Sequence, residues 1–121
     1  MTLSARLEAQ LTYIGQWAER LRQREPARPL VLADIGSDHA LIPLEALARG
    51  YVERVVAGEV APGPLARTLR AVEASPWCDR IEVRLGDGLE VLTPGEAQLL
   101  VIAGMGGLQI AGILRRGRAV A

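Results

Sequence analysis

The sequence predicts an α/β fold: a parallel sheet with helices on both faces, four strands of a doubly wound arrangement, preceded by an N-terminal amphipathic helix. Three observations carry this. Four apolar runs recur, LVLADI (30–35), RVVAG (54–58), IEVRL (81–85) and LLVIAG (99–104). LVLADI, RVVAG and LLVIAG keep no strict apolar–polar alternation, which is the pattern of strands buried on both faces. Each run is followed by a stretch of helical or polar character before the next begins, the rhythm of βα units.

Taken in order, the elements justify themselves locally. Leu3, Leu7, Leu11, Ile14, Ala18 and Leu21 recur at steps of three and four and form one stripe of a helix, bordered by Trp17. That helix should stop before Pro26, because proline disfavours a helical residue ahead of it. REPARP then reads as a linker, so residues 1–29 form a helix and connector and residues 30–121 the sheet-bearing body. PLEALARG follows the first run, with Pro43 suited to a first helical turn and Gly50 to a helix end. PLARTLRAVEA follows the second, GLEVLTPGEA the third and GLQIAGILRR the fourth. A complete sheet of this class needs about six strands. The fourth strand is therefore expected to keep an uncovered edge, which predisposes the chain to self-association.

Composition bounds the function. With 121 residues and 50% apolar content, one domain with a real core is expected. Fourteen basic and fourteen acidic residues balance, so net charge demands neither nucleic acid nor an anionic membrane. Every basic residue is Arg, and Lys, Asn and Phe are missing, a pattern of GC-rich coding. Cys78 is alone, which excludes an internal disulfide, and no metal-ligand spacing surrounds it. It is read as a packing residue, and Trp17 and Trp77 as aromatics remote from the strand ends. A reduced, cytoplasmic setting is expected, with no signal core and no run near the ~18 apolar residues that span a bilayer. Arg20, Arg22, Arg24 and Arg28, and Arg115, Arg116 and Arg118, are local basic excesses of the kind that solvated faces and chain ends carry.

Ligands of open parallel sheets bind beyond the carboxyl ends of the strands. Those ends read Gly36-Ser37-Asp38-His39, then Glu59, then Gly86-Asp87-Gly88, then Gly104-Met105-Gly106-Gly107. Each alone is also a common turn or solvated loop; four in succession are not. A rim of acids repels a pyrophosphate. It suits S-adenosylmethionine, whose amine, sulfonium, ribose diol and adenine amino group are cations or donors that carboxylates accept. Glu59 is placed for the ribose hydroxyls and Asp87, with Gly88, for the adenine amino group, with Val60 or Leu89 against the ring. Gly36 lets the backbone approach the amino-acid end, with Ser37 and His39 beside it and Asp34 fixing the turn. The methionine carboxylate is expected against amides of the following helix start.

ADIGSDHALIP, AGEVAPGP, RLGDGLEVLTPGEA and VIAGMGG resemble the successive signature blocks of the bacterial tRNA adenine-22 N1-methyltransferase family, and LSARL near the start is similar too. The resemblance implies a class I methyltransferase Rossmann-like domain, here without the family's C-terminal coiled-coil domain that helps engage tRNA. It implies S-adenosylmethionine as cofactor, with Gly36, Glu59, Asp87 and Gly88 in its site, and tRNA as substrate, held weakly without that domain. It places Asp38 at the family's catalytic aspartate. The chemistry agrees: adenine N1 is already a nucleophile, and a carboxylate accepting from the exocyclic amine stabilises the charge that methylation creates. Asp38 is equally suited to cap a helix, and His39 either orients Asp38, contacts the cofactor or serves structure. Gln98 stands where the family has an acid; it precedes the fourth strand, so little effect on the cofactor is expected. Two other readings remain open: a shortened S-adenosylmethionine-binding module without activity, and a half-Rossmann protein for another nucleotide.

Overall fold

The computed structural model describes residues 4–36, 40–104 and 107–111, with residues 103, 104 and 107–111 as backbone. The first helix, α1 (Ala5–Arg24), begins where Ser4 accepts a hydrogen bond from the Leu7 amide at 3.1 Å, a side-chain cap for one of the unpaired first-turn amides. Of its predicted stripe, Leu11, Ile14, Ala18 and Leu21 are buried and Leu7 is partly buried, while Leu3 lies outside the described residues. Leu11 and Ile14 are fully buried, each contributing about 2 kcal/mol of apolar burial.

Four strands, β1 (Val31–Ile35), β2 (Arg54–Glu59), β3 (Ile81–Leu85) and β4 (Leu99–Gly104), pair in parallel as β3-β2-β1-β4. Between them lie α2 (Leu41–Ala48) and α3 (Pro62–Glu73). Pro43 is buried in the first turn of α2, and Gly50 just beyond its end has φ +73°, both as the sequence predicts. β1 is central, and chain order reverses between β1 and β4.

The register puts Leu32, Val55, Ile81 and Leu99 side by side, and likewise Asp34, Ala57, Val83 and Val101. This face carries the main core, where α1, α2 and Val72 of α3 pack on the sheet. The opposite face, with Ala33 and Leu100, is covered by Ala97, Leu89 and Leu92.

Three expectations need correction. The stretch after β4 is not helical over its first residues: Gly107–Ala111 forms β5, antiparallel to β4, with Gly104 opposite Gly107. The sheet thus has five strands, and the β4 edge expected to be uncovered is paired. The physical reason is that β4 otherwise presents a row of unpaired N–H and C=O groups, and Gly107–Ala111 satisfies them at short range. The outer strands are β3 and β5, so the premise for self-association through β4 falls. Second, GLEVLTPGEA yields only a 3-10 turn at Gly88–Val91, because Pro94 and Gly95 stop propagation three to four residues later. Third, Cys78, expected to pack, is exposed. Among the described residues α1, α2 and α3 pack on one face of the sheet, and Leu89 of the 3-10 turn lies on the other.

Candidate functional site at the carboxyl ends of the strands

Backbone bonds draw three strand ends into one rank. The Gly36 amide donates to Gly58 O at 2.8 Å, and the Gly86 amide to Glu59 O at 2.9 Å. With strands spaced about 4.8 Å apart, Gly36 and Gly86 lie roughly 10 Å from one another. Glu59 closes β2 between them, and Gly104 closes β4 beyond β1. The crevice outside β1 and β4, where chain order reverses, is where open α/β sheets bind ligands.

Gly36 has φ +80° and Gly88 φ +56°, left-handed conformations open to glycine at little cost. They let the chain leave β1 and β3 sharply, with backbone rather than side chain at the rim. Asp34 and Glu59 are both 3% exposed. By register both lie on the sheet face that packs against the helices, Asp34 level with Ala57 and Glu59 level with Leu85. The Thr68 hydroxyl of α3 donates to Glu59 Oε2 at 2.7 Å in a buried bond. Val60, 69% exposed, and the exposed Asp87 stand at the rim.

The segment carrying Asp87 and Gly88 is tied down from below. Arg84, on the opposite sheet face, donates to Val91 O at 2.6 Å and to both Glu96 oxygens at 2.7 and 2.6 Å, and it also pairs with Glu82. The Arg84 guanidinium holds the Glu96 carboxyl at a pKa of about 2 against the penalty of burial, helped by the Thr93 amide. Val91 packs under the rank: a Cβ on Gly86 would meet Val91 Cγ1 at 2.8 Å. Sequence reasoning missed Arg84, Glu96 and Thr68, since none sits at a strand tip. The charged pair Glu82 and Arg84 inside the run IEVRL was the available signal for the first.

Of the residues singled out from sequence, Asp34, Gly36, Glu59, Val60, Asp87 and Gly88 come to this one end of the sheet. Ser37, Asp38, His39, Met105 and Gly106 lie outside the described residues. The cap position of α2 is taken by Ala40, at φ +56° and without a side-chain cap bond. Gln98 belongs to the other end: its Oε1 accepts from the Val31 amide at 2.8 Å, so the departure at this position serves the start of β1, away from the candidate site.

No group of three or more His, Cys, Asp or Glu side chains suited to a metal occurs among the described residues. No helix among them is long and apolar enough to cross a membrane.

Residues 32–120 match the family model of tRNA (adenine(22)-N(1))-methyltransferase. The chain belongs to this family. Over 118 residues it is 42% identical to the tRNA (adenine(22)-N(1))-methyltransferase of Bacillus subtilis, covering 98% of this chain and 44% of that protein. The crystal structure of the B. subtilis M1A22 tRNA methyltransferase superposes with a TM-score of 0.70 at 41% identity, covering 87% of this chain and 40% of that one. A Streptococcus pneumoniae (m1A22) methyltransferase family member, solved in complex with S-adenosyl-L-methionine, gives 0.64 at 32% identity, covering 81% and 42%. The chain therefore spans less than half the length of the tRNA (adenine(22)-N(1))-methyltransferase family members it matches.

Proposed function

We propose that this chain is the cofactor-binding catalytic part of a tRNA methyltransferase that methylates N1 of adenine 22, and that it works in the cytoplasm with S-adenosylmethionine and tRNA. The observation that carries the reading is the rank of Gly36, buried Glu59 and Gly86-Asp87 at hydrogen-bonded strand ends. The donor set fits the cofactor: a buried carboxylate at the end of β2 for vicinal hydroxyls, an exposed carboxylate after β3 for an amino group, and bare glycine backbone after β1.

In this reading Glu59 accepts the ribose hydroxyls, Asp87 accepts from the adenine amino group with Gly88 against the ring edge, and Val60 covers a ring face. Asp34 braces the turn at Gly36-Ser37, where the amino-acid end is received, with His39 beside it. S-adenosylmethionine supplies the electrophilic methyl group when bound. The chain's own task is to align the target base and stabilise the charge it acquires. Asp38 accepts a hydrogen bond from the exocyclic amine of adenine, which enriches N1 and offsets the cationic product. No base is required to deprotonate N1.

The test is methyl transfer to unmodified tRNA carrying adenine at position 22 and to the same tRNA with that base replaced. Label at N1 of adenine 22, lost on replacement and lost in Asp38→Ala, is expected. Methylation indifferent to the base at 22 would overturn the substrate reading. Cofactor binding without any transfer would reduce the chain to a binding module.

A further inference from the structure

Thr68 is fully buried in the second turn of α3. A threonine within a helix ordinarily returns its hydroxyl to the carbonyl a turn earlier, and valine would fill the same volume. Here the hydroxyl reaches out of the helix to the strand end, donating to Glu59 Oε2 at 2.7 Å across nine residues of chain. That length is typical of a well-formed O–H···O hydrogen bond. A glutamate has three rotatable bonds, and a ligand that must be gripped by its carboxylate bears the cost of ordering them.

We propose that Thr68 is a positioning residue for the cofactor ribose: its hydroxyl anchors Glu59 Oε2, presetting the carboxylate to receive the vicinal diol. This rests on the assignment of Glu59 to the ribose. The contact comes from mid-helix, nine residues along the chain from the β2 tip it reaches. It makes α3 part of the site's geometry, in addition to covering the sheet. Thr68 itself touches only Glu59 in this scheme; it acts on the ligand through the orientation of that side chain.

Two ligands and two substitutions separate this role from a merely structural one. The 121-residue chain is titrated calorimetrically with S-adenosylhomocysteine and with an analogue lacking both ribose hydroxyls, alongside thermal melts. Thr68→Val, which keeps shape and loses the donor, should bind S-adenosylhomocysteine about tenfold more weakly. Thr68→Ser, which keeps the donor, should stay within about twofold of the parent. The analogue without hydroxyls should bind the parent and both variants alike. Thr68→Ala replaces Thr68→Val if the latter melts below the titration temperature. Parent-like binding of S-adenosylhomocysteine by Thr68→Val, or equal weakening of both ligands, overturns the proposal while leaving the Glu59 assignment standing. A parent chain that does not distinguish the two ligands overturns the Glu59 assignment, and this proposal with it.

Discussion

The two ends of the parallel sheet are built on opposite principles. At the amino ends, side chains fasten the chain to itself. Arg22 donates to Glu53 Oε1 at 2.7 Å and to the carbonyls of Gly50 and Tyr51 at 3.2 and 2.9 Å. Glu53 Oε2 accepts from the Leu30 amide, and Gln98 Oε1 from that of Val31. Nearby, Arg49 joins α2 to Glu8 of α1. Burial acts against the Glu53 charge, but the Arg22 guanidinium and the Leu30 amide outweigh it and hold the carboxyl below its ordinary range. At the carboxyl ends backbone amides join Gly36 to Gly58 and Gly86 to Glu59, and the rim carries glycines and acids. The side-chain clamp of Arg84 on Glu96 braces the Asp87 segment from the opposite sheet face. A helix hydroxyl, that of Thr68, meets the buried carboxylate Glu59. The difference teaches that an acid at one end of this sheet is a fastener and at the other a candidate ligand group, although the residue type is the same.

The sharpest way to break this contrast is to remove one acid from each end. Glu59→Ala should weaken S-adenosylmethionine binding by about 100-fold, measured by calorimetry, with a melting temperature close to the parent's. Glu53→Ala should do the reverse. It loses one charge-assisted contact and one backbone contact, discounted because the pair is about one-third exposed, so urea unfolding should register a loss of about 1–2 kcal/mol with cofactor affinity unchanged.

A smaller effect separates the two faces of the carboxyl rim. Glu96 titrates at about 2 in the folded chain because of Arg84, below the ordinary value of 4.5. A depressed carboxyl adds stability that is fully present above pH 4.5 and disappears as pH falls toward 2. Urea unfolding from pH 6 down to pH 3 should therefore show a steeper loss for the parent than for Glu96→Gln. Parallel curves would remove Arg84 and Glu96 from the support of the Asp87 segment. The smallest effect is assigned to Cys78, exposed on the connection between α3 and β3: Cys78→Ser should change stability by less than about 0.5 kcal/mol and leave binding unaltered.

Much of this was legible in the sequence for a physical reason. Strand identity follows from apolar runs, and the stripe from Leu11 to Leu21 follows from helical period, so both are written locally. The gathering of Gly36, Glu59 and Asp87 follows from a rule about parallel sheets: once the strands are parallel and adjacent, their tips share an edge. What was not legible depends on pairing across distance. Residues 107–111 carry an apolar pattern compatible with helix or strand, and the open edge of β4 decides it. The segment 88–97 has a helical beginning, but Pro94 and Gly95 cut it to a single turn. Thr68 and Arg84 look like unremarkable members of a helix and a strand; only the register reveals that one meets Glu59 and the other Glu96.

The central claim is that the acidic carboxyl-end rank is a cofactor site. Calorimetric titration of the parent chain with S-adenosylmethionine, repeated on Glu59→Ala and Glu53→Ala, tests it most directly. Saturable one-to-one binding that survives Glu53→Ala and collapses in Glu59→Ala is the predicted result. No heat of binding at millimolar ligand, or affinity that ignores Glu59, would contradict it.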